Sequence, residues 1–102
     1  MAFTRAHLYS EDDQQTSYYA KAFCHPARLA ILRKLKRDGP CTVEELTRLN
    51  PLSQPTISQH LEILRRMNLV EYREAYPYVY YTTNKKEFHF AMRSILKYFM
   101  TL

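Results

Sequence analysis

The chain has 102 residues and a formal net charge of +5, which leaves room for one domain with one hydrophobic core. A single glycine and 46% hydrophobic residues exclude a flexible linker or a disordered protein. Nothing approaches the roughly 18 apolar residues of a membrane span, no signal peptide is recognisable, and two cysteines are too few for a disulfide framework. We therefore expect a cytoplasmic protein without membrane partners, whose modest basic excess favours polyanions.

Residues 1–13 are polar and aperiodic, and they predict a tail that precedes a domain over residues 14–102. The first helix is predicted over residues 14–23. Pro26 suits the start of a second helix, because the amide that proline lacks would be unpaired there. Gly39-Pro40 ends this helix, and its apolar positions recur at helical spacing: Ala27, Ile31, Leu32 and Leu35.

Two short helices follow, separated by a tight turn. Thr42 and Glu45 form a predicted capping box, and the helix that they start carries Leu49 inward and stops at Asn50-Pro51. A new helix begins at Ser53-Gln54-Pro55. Its narrow apolar stripe is made of Ile57, Leu61, Leu64 and Met67. Two helices joined in this way predict a helix-turn-helix.

The period then changes to two. Residues 69–83 are rich in β-branched and aromatic side chains and predict a hairpin with a turn at residues 74–77. A last helix is predicted over residues 86–98. The fold class is therefore mainly α with a small β-hairpin, a winged helix-turn-helix of about five helices and a two-stranded wing.

The second helix of the predicted motif has a polar leading end, which suits the major groove of double-stranded DNA. Uncharged side chains there are predicted to meet base edges, whereas the arginines and the hydroxyls at the helix starts are predicted to meet phosphates. For His60, packing or a phosphate contact is expected rather than catalysis. The predicted DNA-binding residues are Thr42, Ser53, Gln54, Thr56, Ser58, Gln59, His60, Arg65 and Arg73.

The last helix carries an apolar face that so small a domain leaves without a partner. A second copy of the chain is the simplest partner, so a homodimer is predicted. The predicted contact residues are Tyr18, Ala22, Phe88, Met92, Ile95 and Phe99.

The stretches at residues 22–32, 42–46, 52–64, 68–70 and 79–81 resemble the ArsR/SmtB-type family of winged-helix repressors. The run Ser-Gln-Pro-Thr-Ile-Ser-Gln-His-Leu at residues 53–61 is the most specific match. The resemblance implies a homodimer, an inverted-repeat operator, and repression relieved by an inducer that the sequence does not identify.

The chain departs from the metal-sensing members of that family. Thr42 and Glu44 stand where one family site has a Cys-x-Cys pair, and Cys41 is out of step with it. Glu87-x-His89 resembles half of a second site, but residues 100–102 lack its other half. Zinc needs about four ligands, so we predict no metal and no cofactor. The wing tip is aromatic and acidic where family wings often carry glycine and arginine.

Three other functions are considered for this fold: an enzyme, a protein-binding module and a repressor that responds to redox state. No Gly-rich loop, nucleophile elbow or HExxH motif is present, so an enzyme is not predicted. A winged-helix module that binds proteins instead of DNA is favoured by the aromatic hairpin. A cysteine-based redox-responsive repressor would use Cys24, which lies next to His25 at a helix start, and Cys41; burial as small apolar residues is the simpler interpretation of both thiols.

Overall fold

The computed structural model describes residues 8–48 and 51–102. Most of the predicted tail, residues 1–7, and the predicted helix end at Leu49 and Asn50 lie outside the described residues. The elements follow the predicted order and confirm the fold class: α1 (Glu11–Ala20), a 3-10 turn (Lys21–Phe23), α2 (Pro26–Asp38), α3 (Val43–Arg48), α4 (Gln54–Arg66), β1 (Val70–Ala75), β2 (Tyr78–Thr83) and α5 (Lys85–Met100).

The first helix begins at Glu11, three residues before the predicted start. Ser10 is the N-cap, and its hydroxyl accepts a hydrogen bond from the Asp13 amide at 3.0 Å. The acidic residues of the first turn, Glu11, Asp12 and Asp13, also favour the positive end of the helix dipole. The N-terminal boundary of α1 is therefore set by its capping residue and by the acidic residues of its first turn, and not by the spacing of apolar residues.

The start of α3 confirms the predicted capping box. The Thr42 hydroxyl accepts the Glu45 amide at 3.2 Å, and the Glu45 carboxylate accepts the Thr42 amide at 3.4 Å. The α4 N-cap is Ser53, whose hydroxyl accepts the Thr56 amide at 3.4 Å. Each hydroxyl therefore satisfies an amide that a helix start would otherwise leave unpaired.

The core lies where α2, α3 and α4 meet the root of the hairpin. Its fully buried large side chains are Ile31, Leu46, Ile57, Leu61, Leu64, Leu69 and Val70. Truncating one such leucine to alanine typically costs about 2–5 kcal/mol of stability. The core therefore fixes which face of α4 points inward.

The hairpin is antiparallel, and its register runs from Val70 opposite Thr83 to Ala75 opposite Tyr78. Its root is attached to the loop before α3, because Cys41 and Tyr81 exchange two backbone hydrogen bonds, of 3.0 and 2.7 Å. Asn68 follows the C-terminal end of α4 and has a φ of 61°, a left-handed conformation that asparagine tolerates better than most residues. The wing is thus anchored at its base and free at its tip.

Candidate nucleic-acid interface

The N-terminal half of α4 presents uncharged polar side chains to solvent. Burial of Ile57 and Leu61, exposed by 0% and 1%, orients the helix so that Gln54, Ser58 and Gln59 are exposed. None of these three makes a hydrogen bond to a described residue. The arrangement leaves their donors and acceptors available to a ligand.

The predicted phosphate-binding hydroxyls already have intramolecular partners. Thr42 serves the capping box, and Ser53 caps α4 while its hydroxyl lies 3.0 Å from that of Thr56. Thr56 is half-buried. These hydroxyls lie at the two helix starts, where a phosphate would also meet backbone amides.

The C-terminal half of α4 carries an ion-pair cluster that the sequence interpretation overlooked. Arg65 donates two hydrogen bonds to Glu62, at 2.9 and 2.6 Å, and Arg66 donates a third at 3.2 Å. Hydrogen bonding by Arg65 holds the pKa of Glu62 at about 2, so this carboxylate stays charged. The Arg65 guanidinium also lies 6.0 Å from the ring centre of Tyr72 on β1. The spacings of three and four residues on one helix would have predicted the pairs.

His60 is a correction to the predicted DNA-contacting set. It is only 9% exposed, and its Nδ1 accepts a hydrogen bond of 3.2 Å from Arg28 Nε on α2. The ring of His25, the N-cap of α2, lies 4.4 Å from the His60 ring. Burial, together with the charges of His25 and Arg28, lowers the pKa of His60. The structure therefore favours the packing role for this histidine over a phosphate contact.

The wing presents aromatic and charged side chains of both signs. Arg73 is exposed on β1, opposite Tyr80, and Glu71 and Glu74 flank it. Tyr76 at the tip is 99% exposed. The tip is therefore aromatic and acidic, and Arg73 is an exposed cation beside it.

The residues predicted for dimer contact divide into two groups. Tyr18 and Phe99 are exposed, and Met92 and Ile95 are half-buried. Ala22 is a correction, because it is 0% exposed within the core of its own chain and presents no surface to a partner.

Other side chains of the same region divide between the chain's own core and its surface. Phe88 packs edge-to-face against Phe23 at 6.1 Å, so it serves the chain's own core in part. The exposed apolar surface of α5 further includes Phe90, Leu96 and Met100, which are outside the predicted contact set. The exposed apolar surface therefore extends along more of α5 than that set.

Two tyrosine–carboxylate hydrogen bonds fasten α1 to α5. Tyr19 donates to Glu87 at 2.8 Å, and Tyr98 donates to Asp13 at 2.7 Å. Burial, followed by the Glu87 hydrogen bond, raises the pKa of Tyr19 to about 12. These bonds hold α1 and α5 as one unit beside the helix-turn-helix.

The two cysteines differ in environment. Cys41 is buried, its thiol donates to the Gly39 carbonyl at 3.4 Å, and burial raises its pKa. Cys24 is exposed, and its sulfur lies 3.6 Å from the Arg28 guanidinium. Since the thiolate is the reactive form, Cys24 is the better placed of the two for redox chemistry.

The Glu87-x-His89 pair resembles half of a metal site of the family. Glu87 accepts a hydrogen bond from Tyr19, while His89 is exposed. Across residues 8–48 and 51–102, no three histidine, cysteine or acidic side chains are grouped so that they could hold a metal ion. In the same residues, no helix is long and apolar enough to cross a membrane.

Comparison with known proteins places this geometry among bacterial regulators. The family model described as bacterial regulatory protein, arsR family, matches residues 25–72. The biofilm growth-associated repressor of Xylella fastidiosa is 33% identical over 82 residues, which cover 76% of this chain and 71% of the relative.

Solved structures extend the similarity to most of the chain. HlyU from Vibrio cholerae N16961 has a TM-score of 0.67 at 31% identity and covers 86% of this chain and 97% of its own. The homodimeric winged helix-turn-helix DNA-binding domain of Mb0332 from Mycobacterium bovis has a TM-score of 0.66 at 25% identity, with 87% of each chain covered. The residues matched by the family model include both helices of the motif and the start of β1.

Proposed function

The chain belongs to the arsR family of bacterial transcriptional regulators, and we propose that it is a repressor that binds an inverted repeat in double-stranded DNA as a homodimer. The observation that carries the proposal is the unpaired polar edge of α4. A helix whose inward face is fixed by Ile57 and Leu61 exposes Gln54, Ser58 and Gln59, and these side chains have no hydrogen-bond partner among residues 8–48 and 51–102.

Base contacts are assigned to this edge. The 13 residues of α4 make a helix about 20 Å long, which fits the major groove with its N-terminal end toward the bases. Glutamine can bind adenine through two hydrogen bonds, and serine can serve several bases. Gln54, Ser58 and Gln59 are therefore the proposed reading residues.

Phosphate contacts are assigned to the surrounding residues Arg65, Arg73, Thr42 and Ser53. Their role is to hold the register of the helix, and they carry little sequence information. Arg65 uses two of its five N–H donors on Glu62, and the others are available for a phosphate. The net charge of +5 favours the approach to DNA.

The homodimer is proposed to form through α5 and the part of α1 that faces it. Support comes from the exposure of Tyr18, Leu96, Phe99 and Met100 on a domain of 102 residues, and from the homodimeric state of the Mycobacterium bovis relative. The two recognition helices would lie about 34–36 Å apart to enter successive major grooves. Sedimentation at micromolar concentration tests this assembly, and a stable monomer contradicts it.

A protein-binding module without DNA readout is the second candidate, because Tyr72, Tyr76 and Tyr78 of the wing are exposed and aromatic residues are enriched at interfaces. Fluorescence anisotropy with mixed-sequence duplex at 50 and 200 mM salt separates the two candidates. A DNA-binding regulator loses affinity steeply with salt, whereas the module binds weakly at both concentrations.

A redox-responsive repressor is a third, narrower candidate, since exposed Cys24 lies beside the Arg28 guanidinium. Treatment with peroxide or a persulfide donor should then change DNA affinity in the parent protein and not in Cys24→Ser. An unchanged affinity in the treated parent contradicts this candidate and leaves the DNA-binding proposal intact.

A further inference from the structure

A cavity of about 410 Å³ lies away from the candidate interface, where the C-terminal end of α2, strand β2 and the first turns of α5 meet. Its volume falls within the roughly 300–1,000 Å³ that small-molecule sites occupy. The buried side chains of Leu32 and Leu35 and the half-buried ring of Phe88 supply an apolar floor. The floor suits the hydrocarbon part of a ligand and is too small for a macromolecule.

The mouth of the cavity is cationic. The exposed residues that line it include Lys36, Lys85 and His89, and no acidic side chain lines it among the described residues. Asp38, the acidic residue that lies two positions after Lys36, is paired with Lys34 and Arg37. Neither Lys36 nor Lys85 pairs with a described carboxylate, so the positive charge of this part of the lining has no described counter-charge.

The wall of the cavity contains an unsatisfied hydroxyl. Thr83 Oγ1 is buried and has no hydrogen-bond partner among the described residues. Buried polar atoms are normally paired, and an unpaired one carries an energetic penalty that an acceptor would remove. Rotation of the Thr83 side chain about χ1 would direct the hydroxyl at an acceptor bound in the cavity.

We propose that this cavity binds a small carboxylic acid with an apolar body. The hydrocarbon part occupies the floor formed by Leu32, Leu35 and Phe88, and the carboxylate meets Lys36 and Lys85 at the mouth. A carboxylate on an apolar body fits this division of the lining, because the floor takes up hydrocarbon and the two lysines supply charged donors for one acid group. Binding here does not depend on the proposed DNA function.

Titration of the 102-residue protein without DNA, followed by amide chemical shifts in NMR, tests the proposal. The probes are 3-phenylpropionate, with a flat body, and hexanoate, with a linear one; the better binder identifies the body that the floor prefers. Saturable shifts at Leu35, Thr83 and Lys85 are expected, with a Kd of about 1 mM or tighter for at least one acid. 3-Phenylpropanamide lacks the negative charge, and acetate lacks the apolar body. Each should bind at least about tenfold more weakly than that acid.

Two sets of variants assign the binding groups. Lys36→Gln with Lys85→Gln should weaken binding of the acid at least about tenfold, because both proposed carboxylate partners are lost. Arg33→Gln with Lys86→Gln is the matched control, since it removes the same charge from α2 and α5 at exposed positions outside the cavity. Thr83→Val keeps the shape of the wall and should weaken binding a few-fold without lowering stability.

Three results would overturn the proposal. They are no saturable shift at the cavity amides with either acid, equal binding of the acid and its amide, or equal losses in the lysine pair and its control. DNA binding is not part of these measurements, so the outcome leaves the proposed regulator function untouched, and failure of that function leaves this site untouched.

Discussion

The two ends of α4 differ in how their polar side chains are engaged. At the N-terminal end, Gln54, Ser58 and Gln59 are exposed and make no hydrogen bond to a described residue. At the C-terminal end, Arg65 and Arg66 are hydrogen-bonded to Glu62, whose pKa the Arg65 hydrogen bond lowers to about 2.

Under the proposed function, this difference would separate base recognition from phosphate contact along one helix. A side chain without a protein partner can exchange water for a base edge without breaking a protein contact, so its binding energy would depend on which base it meets. The carboxylate of Glu62 competes with a phosphate for Arg65 and repels that phosphate, so the net gain from Arg65 would be smaller and independent of sequence. The two ends should therefore respond differently in kind to mutation.

The largest effect on this comparison is expected from Gln59→Ala. The change should cost about 1–3 kcal/mol on the best operator, or up to roughly 150-fold in affinity, and relax preference at one base pair. Binding to duplexes selected from a random pool, compared with mixed-sequence duplex, measures it. Gln15→Ala, at an exposed position on α1, should change neither. Equal losses on both duplexes would contradict the placement of this end in the groove.

Arg65→Ala is expected to change the base preference less than Gln59→Ala does, and to lower DNA affinity by the same factor on every sequence. It should weaken binding to all sequences alike and reduce the slope of log affinity against log salt by about one unit per subunit. Anisotropy titrations at four salt concentrations measure the slope. A changed base preference with an unchanged slope would show that Arg65 reads bases, contrary to the difference drawn between the two ends.

Glu62→Gln is expected to raise non-specific DNA affinity by less than about fivefold, because it releases Arg65 and Arg66 and removes a negative charge near the phosphates. Asp38→Asn is the matched control. Hydrogen bonds from Arg37 and then Lys34 hold the pKa of Asp38 at about 2 as well, but this carboxylate lies on α2. If both substitutions raise affinity equally, only net charge matters, and restraint of Arg65 by Glu62 has no role.

The smallest effect concerns His60, which lies between the two ends. Because its pKa is lowered, the unfolded chain binds more protons than the folded one once the pH falls below the ordinary pKa of 6.5. The free energy of unfolding should therefore fall between pH 6.5 and 5.5 and change little above pH 7. Urea titrations should show a flatter pH dependence for His60→Gln and an unchanged one for His89→Gln, an exposed histidine. An identical profile in all three proteins would contradict the role of the buried ring.

The helix-turn-helix was predictable because its determinants are local. The capping box of Thr42 and Glu45 uses residues three positions apart, and the stripe of Ile57, Leu61 and Leu64 repeats at the helical period. The early start of α1 and the Glu62–Arg65 pair are equally local, since the first follows from the Ser10 cap and an acidic first turn and the second from a spacing of three residues.

Other parts of the candidate site could not be predicted in this way. The burial of Ala22 and of His60 depends on elements that meet only in the folded chain, and so does the cavity between α2, β2 and α5. An apolar or aromatic side chain on a predicted helix faces either the chain's own core or a partner, and periodicity does not distinguish the two.

The sequence by itself determined the order and type of the elements and which face of each helix is apolar, because these follow from spacings of two to four residues. Only the tertiary structure decided which polar side chains remain free. Their partners lie far along the chain: Arg28 and His60 are 32 residues apart, Tyr19 and Glu87 are 68 apart, and Asp13 and Tyr98 are 85 apart. Such pairs form only when packing brings the helices together. The set of free polar side chains on α4, Gln54, Ser58 and Gln59, therefore depends on how the neighbouring helices pack as well as on the sequence of α4 itself.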